Sequence, residues 1–434
     1  MSQDPFAAEL DAVPAGEAMH RLAADLFPIC RSITGDGVRE TLRRLQVHAP
    51  LTVREVPSGT SVFDWTVPKE WNITDAYIKN SAGDRVVDFK KSNLHVLGYS
   101  IPIHTRMSLG ELKPHLITLP EQPDAIPYRT SYYNETWGFC LAHSQLLAMP
   151  DGEYEVCIDS SLTDGHLTYG ECYLEGEIED EILISTHICH PSLGNDNLSG
   201  IAVAAFLAQR LQRTARRYSY RFLFIPGTIG SITWLALNEQ LLPRIKHGLV
   251  LANLGDSGSL TYKKSRRGDA EIDRAVMNVL RDTGSRYDVR EFVPYGYDER
   301  QFCSPGINLP VGCLSRTPNG EFPEYHTSKD DLTFVRPASL GDSLACCLAI
   351  LKVLEGNRVY ANQNPKGEPQ LGRRGLYRGY GGSMDAKARE MALLWVLNLT
   401  DGQHSLLDIS GRSGVPFDLI AEAADALAEH DLLR

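Results

Sequence analysis

The densest chemistry in the sequence is the stretch STHICHPSLGNDNLSG, residues 185–200. His187 closes EILISTH, a run with the composition of a buried strand, and in open α/β sheets ligands bind just beyond the carboxyl ends of strands. Asp196 follows nine residues later, directly before a helix expected to begin near Asn197, and from there it can reach back over the same strand ends. Two more residues of this kind come after later strands: Asp256 behind HGLVLANLG, and His326 in EFPEYHTSKDD behind LPVGCL. Imidazole and carboxylate are ligands that zinc takes, so His187, Asp196, Asp256 and His326 together point to a site for one or two zinc ions.

Each residue taken singly has a plainer reading. A histidine at a strand end is commonly a hydrogen-bonded core residue, and an aspartate before a helix is commonly an N-cap. The case rests on four such residues falling at the ends of successive strands.

Those strands belong to a recognisable pattern. EYEVCI, EILISTH, YRFLFIP, HGLVLANL and LPVGCL are short apolar runs bounded by polar or Gly/Pro residues, which predicts buried central strands. Between several of them, 198–212, 231–242, 270–284 and 338–354 have the length and apolar spacing of helices. This alternation predicts an α/β domain over 151–365, with a mixed central sheet covered by helices on both faces. Two amphipathic helices, at 16–29 and 37–47, and a strand at 51–56 assign residues 1–59 to the same domain.

Residues 60–150 have a different texture, rich in Pro, Tyr, Trp and short β-like runs, and predict an inserted β-rich domain. Its Trp65, Trp71, His95, Tyr99 and Tyr132 are candidates for a pocket wall or for ordinary core. A basic, Pro/Gly-rich linker occupies 366–384, and 385–434 carries three helical runs arranged like a winged helix-turn-helix domain.

Length and charge set the outer limits. A chain of 434 residues exceeds what one core usually serves, so two or three domains are expected. A formal charge of −12 disfavours nucleic acid and anionic membranes as partners. The best recognition-helix candidate, 416–430, is acidic and lacks Lys and Arg, so protein contact or homo-oligomerisation, through it or through the inserted domain, is the expected use. The N-terminus has no apolar run after a basic start, and nine scattered cysteines without a CxxC pair predict reduced thiols. A cytoplasmic protein without a membrane span is expected.

At the residue level the site resembles the zinc aminopeptidases of the co-catalytic, two-metal exopeptidase type. His187 matches their first His, Asp196-Asn197-Leu198-Ser199-Gly200 matches the motif whose Asp bridges two ions, and Asp256 and His326 match the last two ligands more loosely. The resemblance implies one ion on His187, Asp196 and Asp256, and another on Asp196 and His326. Two departures follow. Cys189 stands where those enzymes place an Asp, and His190 comes next, so either is a candidate ligand, with a buried structural thiol the plainer reading for Cys189. Gly227-Thr228 stands where they carry two glutamates, so the usual general base is missing. Glu324 is then the leading substitute, ahead of Glu239 and Glu321.

More specifically, FDWTVPKEWNI (63–73), SNLHVLGYSIP (92–102), HICHPSLGNDNLSG and YHTSKDDL resemble a bacterial family with an aminopeptidase-like domain and a C-terminal winged helix. Some of its members sit among polysaccharide-biosynthesis genes. The expected function is a metal-dependent hydrolase acting on an amide bond of a small peptide, an N-acyl amino compound or an amide-bearing sugar. The alternative is a degenerate peptidase fold that binds a ligand or partner without hydrolysis. The basic run KKSRRG (263–268) is a candidate for holding a substrate carboxylate or phosphate, or a solvated loop.

Overall fold

The structure, a computed structural model, describes residues 12–376 and 384–434. The acidic start, 1–11, and part of the linker, 377–383, lie outside the described residues. Among the described residues the central sheet has eight strands. They are β1 (Thr52–Pro57), β2 (His166–Leu174), β3 (Glu181–His187), β4 (Ser219–Ile225), β5 (Ile245–Leu251), β6 (Leu260–Lys263), β7 (Tyr287–Arg290) and β8 (Val311–Ser315). Their spatial order is β1-β2-β4-β3-β5-β8-β6-β7. The centre, β4-β3-β5-β8, is parallel, while β1, β2 and β6 pair antiparallel with their inner neighbours, so the sheet is mixed as the sequence predicts.

Every residue of β3 and β4 is buried, because side chains alternate between two separate cores. Ile182, Ile184, Phe222 and Leu249 face one core, which holds helices α1 (Ala12–Leu26), α2 (Asp36–Leu45), α3 (Gly200–Leu211), α5 (Glu271–Asp282) and α6 (Pro337–Gly356). Leu183, Leu223 and Val250 face the other, with Trp234 of α4 (Ile229–Leu237) and the inner face of a second sheet.

That second sheet revises the sequence reading. It contains Arg85–Asp88, Glu70–Lys79, Glu153–Thr163 and Ile103–Ser108 in that order, all antiparallel. EYEVCI therefore belongs with the inserted segment rather than with the central sheet, and the boundary at 150 cuts through a sheet. The physical reason is its polar/apolar alternation, which suits a half-buried antiparallel strand. One face of the central sheet is thus covered by helices, and the other by α4 and this sheet.

Helix α6 is long and apolar enough to cross a membrane by length and composition. Here it is a core element against α1. At the crossing of α1 and α6, Gly16 and Gly341 allow backbone to meet backbone: a β-carbon on Gly16 would lie 2.0 Å from the Pro337 carbonyl oxygen. The C-terminal part contains α7 (Met384–Leu399), the strand Asp401–Ser405, α8 (Leu406–Ser413) and α9 (Phe417–Ala428). Its Leu406, Ile409, Phe417, Ile420 and Leu427 join the helical core, and Arg274 of α5 pairs with Asp408. Leu371, within the expected linker, is also buried there.

Candidate metal centre

The chain leaves β3 at His187 and does not enter a helix at Asn197. Asp196 (φ −107°, ψ 84°) and Asn197 (φ −141°, ψ 32°) are non-helical, and α3 begins only at Gly200. The polar residues of GNDNLSG account for this irregular turn by anchoring it to the loop behind β5. Asn195 accepts from the Gly255 backbone at 2.8 Å, Asn197 from Asn253 at 3.2 Å, and Ser199 from Leu254 at 2.9 Å. From the opposite side the buried Asp330 carboxylate accepts from the backbone N–H groups of Asn195 at 2.6 Å and Asp196 at 2.9 Å. Burial pushes the Asp330 carboxyl up to about 8, against the lowering effect of those two bonds.

Three imidazoles surround the Asp196 side chain that this turn presents. His187 Nε2 lies 2.8 Å from Oδ1, His326 Nε2 lies 2.9 Å from Oδ2, and His190 Nδ1 lies 3.5 Å from Oδ1. Burial by itself would raise the Asp196 carboxyl. The imidazoles, His190 foremost, outweigh it and hold the group well below the usual carboxylate range. Burial also drives His190 well below the ordinary histidine value. Its backbone is fixed by Arg31, whose Nε donates to the His190 carbonyl at 2.7 Å. His326 sits on a left-handed backbone (φ 54°), bound to the inserted segment through Tyr128 N, which donates to its carbonyl at 2.8 Å.

The structure therefore brings His187, Asp196 and His326 together and adds His190, but not Asp256. Asp256 is occupied elsewhere: Oδ2 accepts from Asn195 Nδ2 at 3.0 Å, and Oδ1 accepts from Thr317 Oγ1 at 2.8 Å and Gly258 N at 2.6 Å. It lies beyond the end of β5 and braces the turn through Asn195.

Cys189 has the plainer role. It is buried between Gly227 N and Tyr297 Oη, both at 3.3 Å, and burial pushes its thiol up to about 12. Sequence reasoning missed Tyr297 and Asp298. The Tyr297 ring stacks on His187, with centroids 3.9 Å apart, and its hydroxyl lies 3.3 Å from His190 Nε2. Asp298 caps the turn at Gly227-Thr228, accepting from Thr228 N at 2.7 Å and Ser231 Oγ at 2.9 Å. The basic run is committed to local contacts: Lys263 pairs with Glu299, Lys264 with Glu291, and Arg267 donates to the Asn308 carbonyl.

A cleft of about 330 Å³ opens over the cluster, with His190, His326, Tyr297, Gly227 and Thr228 in its lining. Of the aromatic candidates, Trp65 and Tyr132 line it, whereas Trp71, His95 and Tyr99 are buried core. Among the described residues that line the cleft there is no Asp or Glu. Glu324, half-buried two residues before His326, is not part of the lining.

Residues 20–357 match the family described as a domain of unknown function, DUF4910. The chain belongs to the DUF4910 family. In this DUF4910 protein residues 358–434 match a winged helix-turn-helix family, which agrees with the C-terminal elements. A Clostridium acetobutylicum relative, provisionally named a polysaccharide biosynthesis protein with an aminopeptidase-like domain, is 55% identical over 419 residues, 96% of each chain. A crystal structure from the same organism, provisionally named a peptidase, is 53% identical with a TM-score of 0.94, covering 98% of this chain and 97% of that one. A zinc aminopeptidase from Bacillus subtilis shares the fold at 14% identity, with a TM-score of 0.57 over 79% of this chain and 94% of its own.

Zinc aminopeptidases share this fold, and the residues of this DUF4910 protein offer a candidate metal site. His187, His190 and Asp196 offer ligand atoms that all lie within 4.8 Å of one another. His190 Nδ1 is buried without a hydrogen-bond partner among the described residues, and imidazole nitrogen is a donor that divalent metal ions take.

Proposed function

We propose that this DUF4910 protein is a divalent-metal-dependent hydrolase, with zinc as the ion, that cleaves an amide bond in a small substrate. The observation that carries the reading is the cluster of imidazoles around one buried carboxylate at the floor of a cleft. His187, His190 and Asp196 would hold the ion, and His326, on the other oxygen of Asp196, would complete that set or share a second ion. When bound, the ion supplies Lewis acidity for a carbonyl oxygen and makes water a better nucleophile.

The chain's own residues supply the rest. Asp330 and Asn197 fix the turn that presents Asp196, and Tyr297 orients two imidazoles. Tyr128 meets both His190 and His326 edge to face, with centroids 5.1 Å away, and so walls the cleft. The reaction adds water across the amide, breaks the C–N bond and releases an amine and a carboxylic acid.

The substrate is a short peptide, an N-acyl amino compound or an amide-bearing sugar. The relative's assignment to polysaccharide biosynthesis supports the last of these. Nine cysteines without a disulfide support a reducing, cytoplasmic setting. Homo-oligomerisation through the inserted or winged-helix domain belongs to the same proposal, as does the absence of nucleic-acid and membrane partners.

Metal analysis of purified protein, together with a panel of aminoacyl amides and N-acyl amino sugars, tests the reading. Zinc-dependent turnover that disappears in His187→Ala supports it. Absence of both zinc and turnover removes it. A second reading, ligand binding without hydrolysis, is favoured by the lack of a carboxylate in the cleft lining, and saturable binding without turnover would establish it.

A further inference from the structure

We infer that the cleft selects a substrate in which a carboxylate is carried on a saturated, hydroxylated ring: in chemical class, an acidic N-acyl amino sugar. The amide in this description rests on the hydrolase reading above, whereas the acidic ring rests on separate residues. All of these come from the inserted segment and line the wall of the cleft, and none belongs to the metal cluster.

Charge is the first argument. The whole chain is acidic, at −12, yet among the described residues lining the cleft Arg129 is the guanidinium and no carboxylate opposes it. Arg129 is exposed and makes no ion pair among the described residues. Nη1 donates to the carbonyl of Tyr128 at 2.8 Å, which leaves the other edge of the guanidinium open. A guanidinium edge presented to a cleft matches a carboxylate bidentately.

Shape and polarity are the second. Trp65 and Tyr133, 40% and 50% exposed, meet edge to face at 5.7 Å on the cleft wall, and Tyr132 lies beside Tyr133 at 6.4 Å. Aromatic surface of this size is normally withdrawn from water, so its concentration at one cleft marks a binding face. The same wall is polar at its edges. Thr130 is part of its lining, and Tyr128, Tyr132 and Tyr133 carry hydroxyls. A pyranose combines apolar C–H faces with a rim of hydroxyls and satisfies both features. An aliphatic or aromatic side chain would cover the rings but leave the open guanidinium edge of Arg129 and the tyrosine hydroxyls unmatched.

Calorimetric titration of the full-length protein with three probes tests this: N-acetylmuramic acid, N-acetylglucosamine and N-acetylphenylalanine. The acidic sugar should bind about 10-fold more tightly than the neutral one, the size expected of one charge-assisted bond. Arg129→Gln should abolish that preference while keeping neutral-sugar binding, and Trp65→Ala should weaken both sugars. Unchanged thermal denaturation confirms that these surface variants fold. Equal affinity for the two sugars, or tightest binding of N-acetylphenylalanine, overturns the inference. Binding of the acidic sugar without turnover leaves the inference standing and removes the hydrolase reading. Zinc-dependent turnover of aminoacyl amides without sugar preference does the reverse.

Discussion

The ring of Tyr297 fills the space directly over Gly227, where a β-carbon would lie 1.7 Å from Tyr297 Cε1. Gly227 is also the position at which the exopeptidase resemblance places a glutamate. The carboxylate is therefore not simply missing. Its place is taken by an aromatic ring that stacks on His187 and carries a hydroxyl to His190, so the glycine and the tyrosine form one coupled feature of the site.

Gly227→Ala should consequently displace Tyr297 rather than be absorbed locally, because neighbouring Thr228 and Asp298 hold the turn in place. Overpacking of this kind costs about 1–3 kcal/mol. Denaturant titration should show that loss, and combining the change with Tyr297→Ala should relieve much of it. Strict additivity of the two substitutions would count against the coupling.

Tyr297→Phe isolates the hydroxyl. The stack on His187 persists, but the contact at 3.3 Å to His190 Nε2 is lost, and with it the restraint on which nitrogen faces Asp196. Partners of this type typically affect metal affinity roughly 10–100-fold. Competition with a chromogenic chelator should register a weakening in that range, with little change in thermal midpoint. Unaltered zinc affinity would assign Tyr297 to packing alone.

His190 and Asp256 make opposite predictions. Asp256 spends its oxygens on Asn195, Thr317 and Gly258, so Asp256→Asn should lower stability by about 1–3 kcal/mol and leave zinc affinity nearly intact. His190→Ala removes a ligand atom from the cluster and should reduce zinc content sharply. Equilibrium dialysis against zinc distinguishes them. Loss of zinc from the Asp256 variant alone would restore the ligand set read from the sequence.

That contrast shows where the sequence is legible. The convergence of three candidates is legible because His187 terminates an unbroken buried strand, while Asp196 and His326 each lie just past a strand in a segment dense with polar residues. Asp256 satisfied the same rule but stands five residues after the end of β5, far enough for the chain to turn it toward Asn195. Tyr297 had no signal, since a ring's position over a distant glycine is fixed only by tertiary packing. Asp330 does have one: it stands four residues after His326 in the polar segment YHTSKDD. The central strands were readable from composition. The alternation in EYEVCID also pointed to its half-buried sheet, although its apolar residues drew it to the wrong one.

A pH dependence remote from the site follows from His247 in β5. It is buried beside the Tyr218 hydroxyl, 3.3 Å from Nε2, and burial depresses its pKa to about 4, with the Glu271 carboxylate only partly opposing that shift. Between the unfolded value near 6.5 and the folded value, the unfolded chain takes up a proton that the native protein refuses. Stability from this residue is therefore full above pH 6.5 and is lost as pH falls toward 4, by on the order of 3 kcal/mol at most. Buried Asp298 and Asp330, whose pKa values are raised, respond in the opposite sense, but they are common to any His247 variant. Urea denaturation of the native protein and of His247→Gln at pH 7 and pH 4.5 separates the contributions. The native protein should lose more stability on acidification than the variant, and parallel losses in the two would show that His247 is charged without penalty in the folded state.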